Sequence, residues 1–208
     1  MNSVAALPQY TAGAVTSGLA PGLDNPTYDS IKVFRAVASA MACPGAIHRV
    51  HARPPAPAQM APACAALCLA LLDMDTPLWI QNHIPVVAEY LRFHCGCPIT
   101  PYSRNASFAL ITNLAGPPNV TAFNPGSAEY PDDSATLIIQ VASLSNAVGV
   151  QLSGPGLREP LRLDAAGVSA AYWRDLQESR ARFPLGVDII FVCGEHIAAL
   201  PRSTQIAL

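Results

Sequence analysis

The segment VCGEHIAALPRST, residues 192–204, places a thiol, a carboxylate and an imidazole close together, on Cys193, Glu195 and His196. These are the groups of a nucleophilic catalytic site. A nucleophile and its base normally come from distant parts of a sequence, because adjacent side chains in a turn rarely converge on one reacting atom. Gly194, between two apolar runs, instead indicates the reversal of a β-hairpin. The sequence therefore predicts a structural turn here, and it identifies no catalytic residue.

A second cluster of reactive side chains lies in HCGC, residues 94–97, where His94, Cys95 and Cys97 are possible metal ligands. Cys64 and Cys68, four residues apart on a predicted helix, could supply two more thiolates. Paired zinc-binding cysteines are usually separated by two residues rather than one. Free cysteines are also commonly buried as small apolar residues. We therefore expect no metal site, with a structural metal-binding domain as an alternative.

Three arginines, Arg35, Arg92 and Arg202, are candidates for binding an anion or a partner, because a guanidinium matches phosphate and phosphonate oxygens. Surface or helix-end charge is the alternative for each. Arg202 follows an apolar strand, where a rigid scaffold can present a side chain. Asp188 lies inside the apolar run GVDIIFV. A carboxylate in a central strand must be paired, which predicts a structural pair between Asp188 and one of the arginines.

The elements that position these residues can be predicted from periodicity and from breakers. The first helix is expected to begin at Asp29 or Ser30 and to end before Pro44. Apolar stripes are predicted on Ile31, Phe34, Val37 and Met41 of this helix, and on Val86, Val87, Tyr90 and Phe93 of a later one. Further helices are predicted over 62–75, 85–94 and 170–181, strands over 76–80, 106–112 and 135–144, and hairpins around 154–156 and 193–195.

Interleaved helices and strands indicate an α/β domain with helices covering a mixed sheet. With 208 residues and 51% hydrophobic content, the chain is long and apolar enough for one substantial core. Residues 1–23 are predicted to be a flexible N-terminal leader, and residues 24–208 a single α/β domain.

Charge and hydropathy exclude several classes of partner. A net charge of −2 provides no field that would attract a polyanion, so nucleic-acid binding is not expected. No apolar run approaches the roughly 18 residues needed to cross a bilayer. The first basic residue is Lys32, so no secretory signal is indicated. We expect a soluble cytoplasmic protein, in which the six cysteines remain reduced.

Six segments of the chain form a specific combination by their order and spacing: FRAVASAMACPG (34–45), DMDTPLWI (73–80), LRFH (91–94), ATLIIQVASLS (135–145), LSGPGL (152–157) and FPLGVDIIFVCGEHIAALPRST (183–204). Together they resemble the PhnH family, the H subunit of the bacterial carbon–phosphorus lyase system of phosphonate metabolism.

The resemblance implies a three-layer αβα sandwich with a mixed sheet, like the large domain of pyridoxal-phosphate-dependent aminotransferases but without the cofactor. The only lysine, Lys32, lies on the first predicted helix, whereas a Schiff base needs a lysine buried in a pocket. The resemblance also implies a homodimer that works with other carbon–phosphorus lyase core subunits. That complex joins a phosphonate to the ribose of a nucleoside triphosphate and displaces the base.

Two functions follow from these expectations. The first is a noncatalytic or partly catalytic subunit of the phosphonate-activating complex. The alternative is an independent enzyme or binding protein for small phosphonate or phosphate anions, with Arg35, Arg92 and Arg202 as clamps. The sequence favours the first, because it contains basic anchors without a recognisable nucleophile and base.

Overall fold

The computed structural model describes residues 19–208. This region contains the α-helices α1 (Pro26–Ala42), α2 (Pro62–Leu71), α3 (Pro85–Cys95) and α4 (Ala170–Arg180). The strands are β1 (His48–Arg49), β2 (Leu78–Ile80), β3 (Phe108–Ile111), β4 (Thr136–Gln140), β5 (Leu144–Ser153), β6 (Leu161–Ala165), β7 (Asp188–Cys193), β8 (His196–Leu200) and β9 (Gln205–Ala207). No helix in residues 19–208 has both the length and the apolar character needed to cross a membrane.

The main sheet is mixed, as predicted, with the strand order β1-β8-β7-β4-β3-β2. Strands β2, β3, β4 and β7 are parallel, and β8 runs antiparallel to both β7 and β1. Thr136 pairs with Asp188, so β4 and β7 begin at the same edge of the sheet. The β7–β8 hairpin is confirmed, with Gly194 at φ +56° in its turn. The strands β6, β5 and β9 form a separate antiparallel sheet.

Alternating side chains divide the interior into two cores, one on each face of the main sheet. Ile190 and Val192 of β7 face the core shared with α1, α2 and α3. Ile189 and Phe191 face the opposite core, which contains α4 and the three-stranded sheet. The second outer layer is therefore one helix plus a small sheet, where the sequence analysis expected helices alone.

Helix α1 begins earlier than predicted because its N-cap is Asn25 rather than Asp29 or Ser30. The Asn25 side chain accepts a hydrogen bond from the backbone N–H of Tyr28 at 3.3 Å. Asp29 accepts in turn from the backbone N–H of Asn25 at 3.0 Å. Pro26 occupies the first turn, where a missing N–H costs nothing.

The apolar faces of α1 and α3 were predicted only in part. On α1, Val37 is buried as expected, but Phe34 is 60% exposed and Ile31 is exposed. Val33 and Ala40 complete the buried face instead. The largest apolar side chain of the predicted stripe is therefore on the surface of the described chain.

On α3 the predicted residues Val87 and Tyr90 are buried, whereas Phe93 is 72% exposed and Val86 is exposed. The N-terminal segment crosses this helix. His94 Nε2 lies 2.9 Å from the carbonyl oxygen of Ala20, and the Tyr90 hydroxyl donates to the carbonyl of Pro21 at 3.2 Å. Of the predicted leader, residues 1–18 lie outside the described residues.

Candidate functional site

Asp188 and Arg202 meet where β7 begins and β8 has just ended. The Arg202 guanidinium donates from Nη2 to Asp188 Oδ2 at 2.9 Å, and the Arg202 backbone N–H donates to Oδ1 at 2.7 Å. Arg202 Nη1 also donates to the carbonyl oxygen of Pro131. Asp188 is only 8% exposed. The carboxylate is therefore held by both the side chain and the backbone of Arg202.

The hairpin register explains this pairing. Ile189 pairs with Leu200 as the last rung of the β7–β8 ladder. Pro201 follows and has no backbone N–H to continue the ladder. The chain then turns, with the backbone N–H of Thr204 donating to the carbonyl of Pro201 at 2.9 Å. This turn brings Arg202 back over the first residue of β7.

Arg180, at the end of α4, is a third charged residue of this cluster that the sequence analysis did not select. It is only 2% exposed. Its Nη1 donates to the carbonyl of Val187 at 2.5 Å, and its Nη2 to the carbonyl of Leu200 at 3.1 Å. Burial lowers the pKa of Arg180 to about 10. The nearby Asp188 carboxylate opposes this shift, because it favours the charged form of the arginine. Its position four residues after the buried Leu176, on the same side of α4, was the available signal.

The cluster opens onto a shallow cleft of about 470 Å³. Asp188, Arg202 and Ser203 supply its polar side, and the apolar lining is Met41, Pro131, Phe183, Pro184 and Pro201. Arg202 supplies a guanidinium to this cleft beside the Asp188 carboxylate, and the buried Arg180 does not line it. The Arg202 guanidinium is the group through which a small anion or an acidic side chain of a partner could bind here.

Buried polar atoms without a hydrogen-bond partner among the described residues also occur in this region. They include Arg180 Nε and the hydroxyl groups of Ser134 and Thr204. Ser134 precedes Ala135, whose carbonyl accepts from the backbone N–H of Asp188 at 3.1 Å. Such groups normally bind water or a ligand, because an unpaired buried polar atom is costly.

The other two candidate arginines lie elsewhere. Arg35 is exposed on α1. Arg92 is exposed on α3 and lines a separate shallow cleft with His83, Glu89 and Phe93. Arg92 and Arg202 thus belong to different surfaces, and the geometry does not unite them in one clamp.

The three reactive side chains of the terminal hairpin make different contacts. Glu195 binds Arg49 at 3.0 Å and Arg53 at 2.7 Å. The Cys193 thiol donates to the carbonyl of Ala142 at 3.3 Å, and burial raises its pKa. His196 is exposed. These separate contacts support the interpretation of this segment as a turn.

The cysteines of the possible metal cluster lie on α2 and at the end of α3. Cys64, Cys68 and Cys97 are buried, and Cys95 is partly exposed. His94 contacts the N-terminal segment at Ala20 instead. In residues 19–208 no three His, Cys, Asp or Glu side chains are arranged to hold a metal ion.

Comparison with known proteins identifies a family that matches this chain. The model of the family described as "Bacterial phosphonate metabolism protein (PhnH)" matches residues 21–207, which include the whole Asp188 cluster. A relative from Rhizobium meliloti (strain 1021), named alpha-D-ribose 1-methylphosphonate 5-triphosphate synthase subunit PhnH, is 29% identical over 184 residues. That alignment covers 88% of this chain and 92% of the relative.

A second relative, from Stutzerimonas stutzeri, is named putative C-P lyase subunit protein HtxG. It is 39% identical over 83 residues, which cover 40% of this chain and 43% of the relative. The family model spans almost all of the described residues, and the first relative aligns over nearly its full length. The chain therefore belongs to the PhnH family of bacterial phosphonate metabolism proteins.

Proposed function

We propose that this chain is a subunit of the carbon–phosphorus lyase core complex, which forms alpha-D-ribose 1-methylphosphonate 5-triphosphate from a phosphonate and a nucleoside triphosphate. The near full-length alignment with the Rhizobium meliloti synthase subunit carries this proposal. The separate contacts of Cys193, Glu195 and His196 support a role through binding surfaces rather than a catalytic centre of its own.

We further propose that residues 24–208 form a single domain related in fold to the large domain of pyridoxal-phosphate-dependent aminotransferases, without the cofactor. Lys32, the only lysine, pairs with Asp29 at 3.1 Å on the outside of α1, and its side chain is 57% exposed. A lysine in that position is unsuited to a Schiff base, which needs a desolvated pocket.

The surface of α1 supports the proposed assembly with partners and as a homodimer. Tyr28, Ile31 and Phe34 are exposed at three-residue spacing, so they lie on one side of the helix. Arg35 is exposed beside them. An apolar patch with a charged rim is typical of protein interfaces, and a two-fold pair would use the same patch on both copies. We place this assembly in the cytoplasm, because a reducing compartment suits six free cysteines.

The alternative function, binding of small phosphonate or phosphate anions, is supported by the Arg202 guanidinium that lines the cleft. In the complex, the same cleft would bind either the anionic substrate or an acidic residue of a partner subunit.

Reconstitution tests both functions. The core subunits are purified with and without this chain, and base release from a nucleoside triphosphate is measured with methylphosphonate present. We expect this chain to copurify with the other subunits, and base release to fall at least tenfold when it is left out. Full activity without it would refute the subunit role, and saturable binding of a phosphonate by the isolated chain would establish the alternative.

A further inference from the structure

Four cysteines meet where α2 contacts the end of α3. Cys64 and Cys68 are one helical turn apart on α2, and both are fully buried. Cys95 is the last residue of α3, and its thiol donates to the carbonyl of Cys68 at 3.6 Å. Cys97 follows after a single glycine. The Cys95 thiol therefore contacts α2 at Cys68.

Gly96 gives the CGC segment a shape that brings its two sulfur atoms together. Its φ of +69° caps α3 in the left-handed conformation, and its backbone N–H donates to the carbonyl of Arg92 at 3.0 Å. The reversal carries Cys97 back along the helix, where its thiol donates to the carbonyl of Leu91 at 3.8 Å. Two Cα–Cα steps of about 3.8 Å keep Cys95 and Cys97 within about 7.6 Å, and a turn shortens that distance. A disulfide spans Cα atoms about 4.4–6.8 Å apart.

The two thiols differ in exposure and in acidity. Cys97 is 1% exposed, whereas Cys95 is partly exposed and can be reached by a small molecule. Contact between the two sulfur atoms raises the pKa of Cys95 and lowers that of Cys97. Arg92 lowers the Cys97 pKa further. Cys97 is therefore the more acidic thiol of the pair.

Cys68, in contrast to Cys95 and Cys97, is an unreactive thiol. A hydrogen bond with Cys64, together with complete burial, raises the pKa of Cys68 well above its ordinary value. It therefore remains a thiol, and a buried thiol is a poor nucleophile.

We propose that Cys95 and Cys97 form a reversible dithiol–disulfide pair whose oxidant is a low-molecular-weight disulfide. Cys95, the more accessible thiol, gives its proton to solvent, and its thiolate attacks the oxidant RS–SR, forming a mixed disulfide and releasing RS⁻. Cys97 loses its proton and attacks the Cys95 sulfur, forming the Cys95–Cys97 bond and releasing the second RS⁻. The two thiol protons convert both RS⁻ to RSH, so two protein thiols and one RS–SR yield one protein disulfide and two RSH.

Trypsin provides a direct assay, because cleavage after Arg92 and Arg104 isolates both cysteines in the peptide 93–104, which contains no other cysteine. The full chain is equilibrated under native conditions in buffers of reduced and oxidised glutathione. Free thiols are then alkylated, and the peptides are weighed by mass spectrometry. We expect peptide 93–104 to lose both alkylation sites together, to contain an internal disulfide, and to recover both sites on reduction.

Single-thiol variants test the order of steps. Cys97→Ser is expected to stop at a glutathione adduct on Cys95, and Cys95→Ser to slow modification of the remaining buried thiol at least tenfold. Cys43→Ser, which removes an exposed cysteine on a different segment, is the matched control and is expected to leave peptide 93–104 unchanged. Tryptophan fluorescence checks that each protein remains folded.

Three results would overturn the proposal. One is a peptide 93–104 that remains doubly alkylated in fully oxidised buffer. Another is a cross-link to the separate tryptic peptide that holds Cys64 and Cys68, which would make an α2 thiol the partner. The third is a stoichiometric soft metal ion that protects the thiols of the wild-type chain and is lost in Cys95→Ser.

Discussion

Replacing Arg202 by Ala tests whether the Asp188 pair stabilises the fold. Removal of one partner from a fully buried ion pair costs about 3–5 kcal/mol. Here the Arg202 side chain is 19% exposed and that of Asp188 12%, so solvent screens part of the interaction. The backbone N–H of residue 202 would still donate to the carboxylate, and the Arg180 charge remains nearby. We therefore expect a loss of about 2 kcal/mol in the free energy of unfolding, below the buried-pair range.

Urea unfolding followed by tryptophan fluorescence measures this loss. A change of about 2 kcal/mol corresponds to a fall of roughly 4–8 °C in Tm for a chain of this size. Asp188→Asn and the double variant complete a cycle, in which we expect a coupling of at least about 1 kcal/mol. Arg158→Ala, at an exposed arginine, is the matched control. A Tm for Arg202→Ala equal to that of the control, with no coupling, would show that the pair does not stabilise the fold. Reduced assembly or base release in that case would assign Arg202 to function alone.

Arg180→Ala should destabilise the chain by about 3 kcal/mol, because it leaves a cavity and removes the hydrogen bonds to the Val187 and Leu200 carbonyls. A urea midpoint equal to that of wild type would show that these hydrogen bonds do not stabilise the fold. Gly156→Ala should lower the Tm far more than Gly96→Ala, although both glycines have positive φ. A Cβ at position 156 would lie 2.0 Å from the carbonyl oxygen of Ala42, whereas a Cβ at position 96 would meet no atom within 4 Å. Equal Tm values for the two variants would contradict this difference. The purified chain should bind no pyridoxal phosphate, and an aldimine absorption band lost in Lys32→Ala would overturn this. Burial raises the pKa of Tyr90 to about 12 in the folded chain, above its value near 10 in the unfolded chain. The protonated tyrosine therefore contributes its full stabilisation below pH 10, and this contribution is lost as pH rises through 12. The stability difference from Tyr90→Phe should therefore shrink between pH 10 and 12, and a constant difference in urea unfolding would contradict it.

Local signals in the sequence were sufficient to predict the elements that have strong punctuation. Serine is a favoured N-cap residue, and the Ser169 side chain caps α4 by accepting from the backbone N–H of Tyr172 at 3.1 Å. Both hairpins form at their glycines, because few other residues suit those turns. The buried faces of α1 and α3 were less predictable. Phe34 and Phe93 fit an apolar period, but which side of a helix faces the sheet is decided by the tertiary contacts.

The candidate site, too, could be predicted from the sequence only in part. A carboxylate within an apolar strand correctly suggested that Asp188 needs a cationic partner. The identity of that partner depends on the register of β7 and β8 and on the turn after Pro201, so Arg202 could not be chosen over other arginines by pattern alone. Arg180 was missed because an arginine at the end of a helix normally reaches solvent.

The order of strands in the main sheet has a consequence for synthesis of the chain. Strand β1, near the start, pairs with β8, and α1 packs on β8 as well. Strand β4 from the middle of the chain pairs with β7. The first helix and the first strand thus have no sheet to join until β8 has been synthesised, since contacts distant in sequence cannot form earlier. The apolar side chains of α1 that face the sheet therefore stay uncovered by it until β8 has left the ribosome.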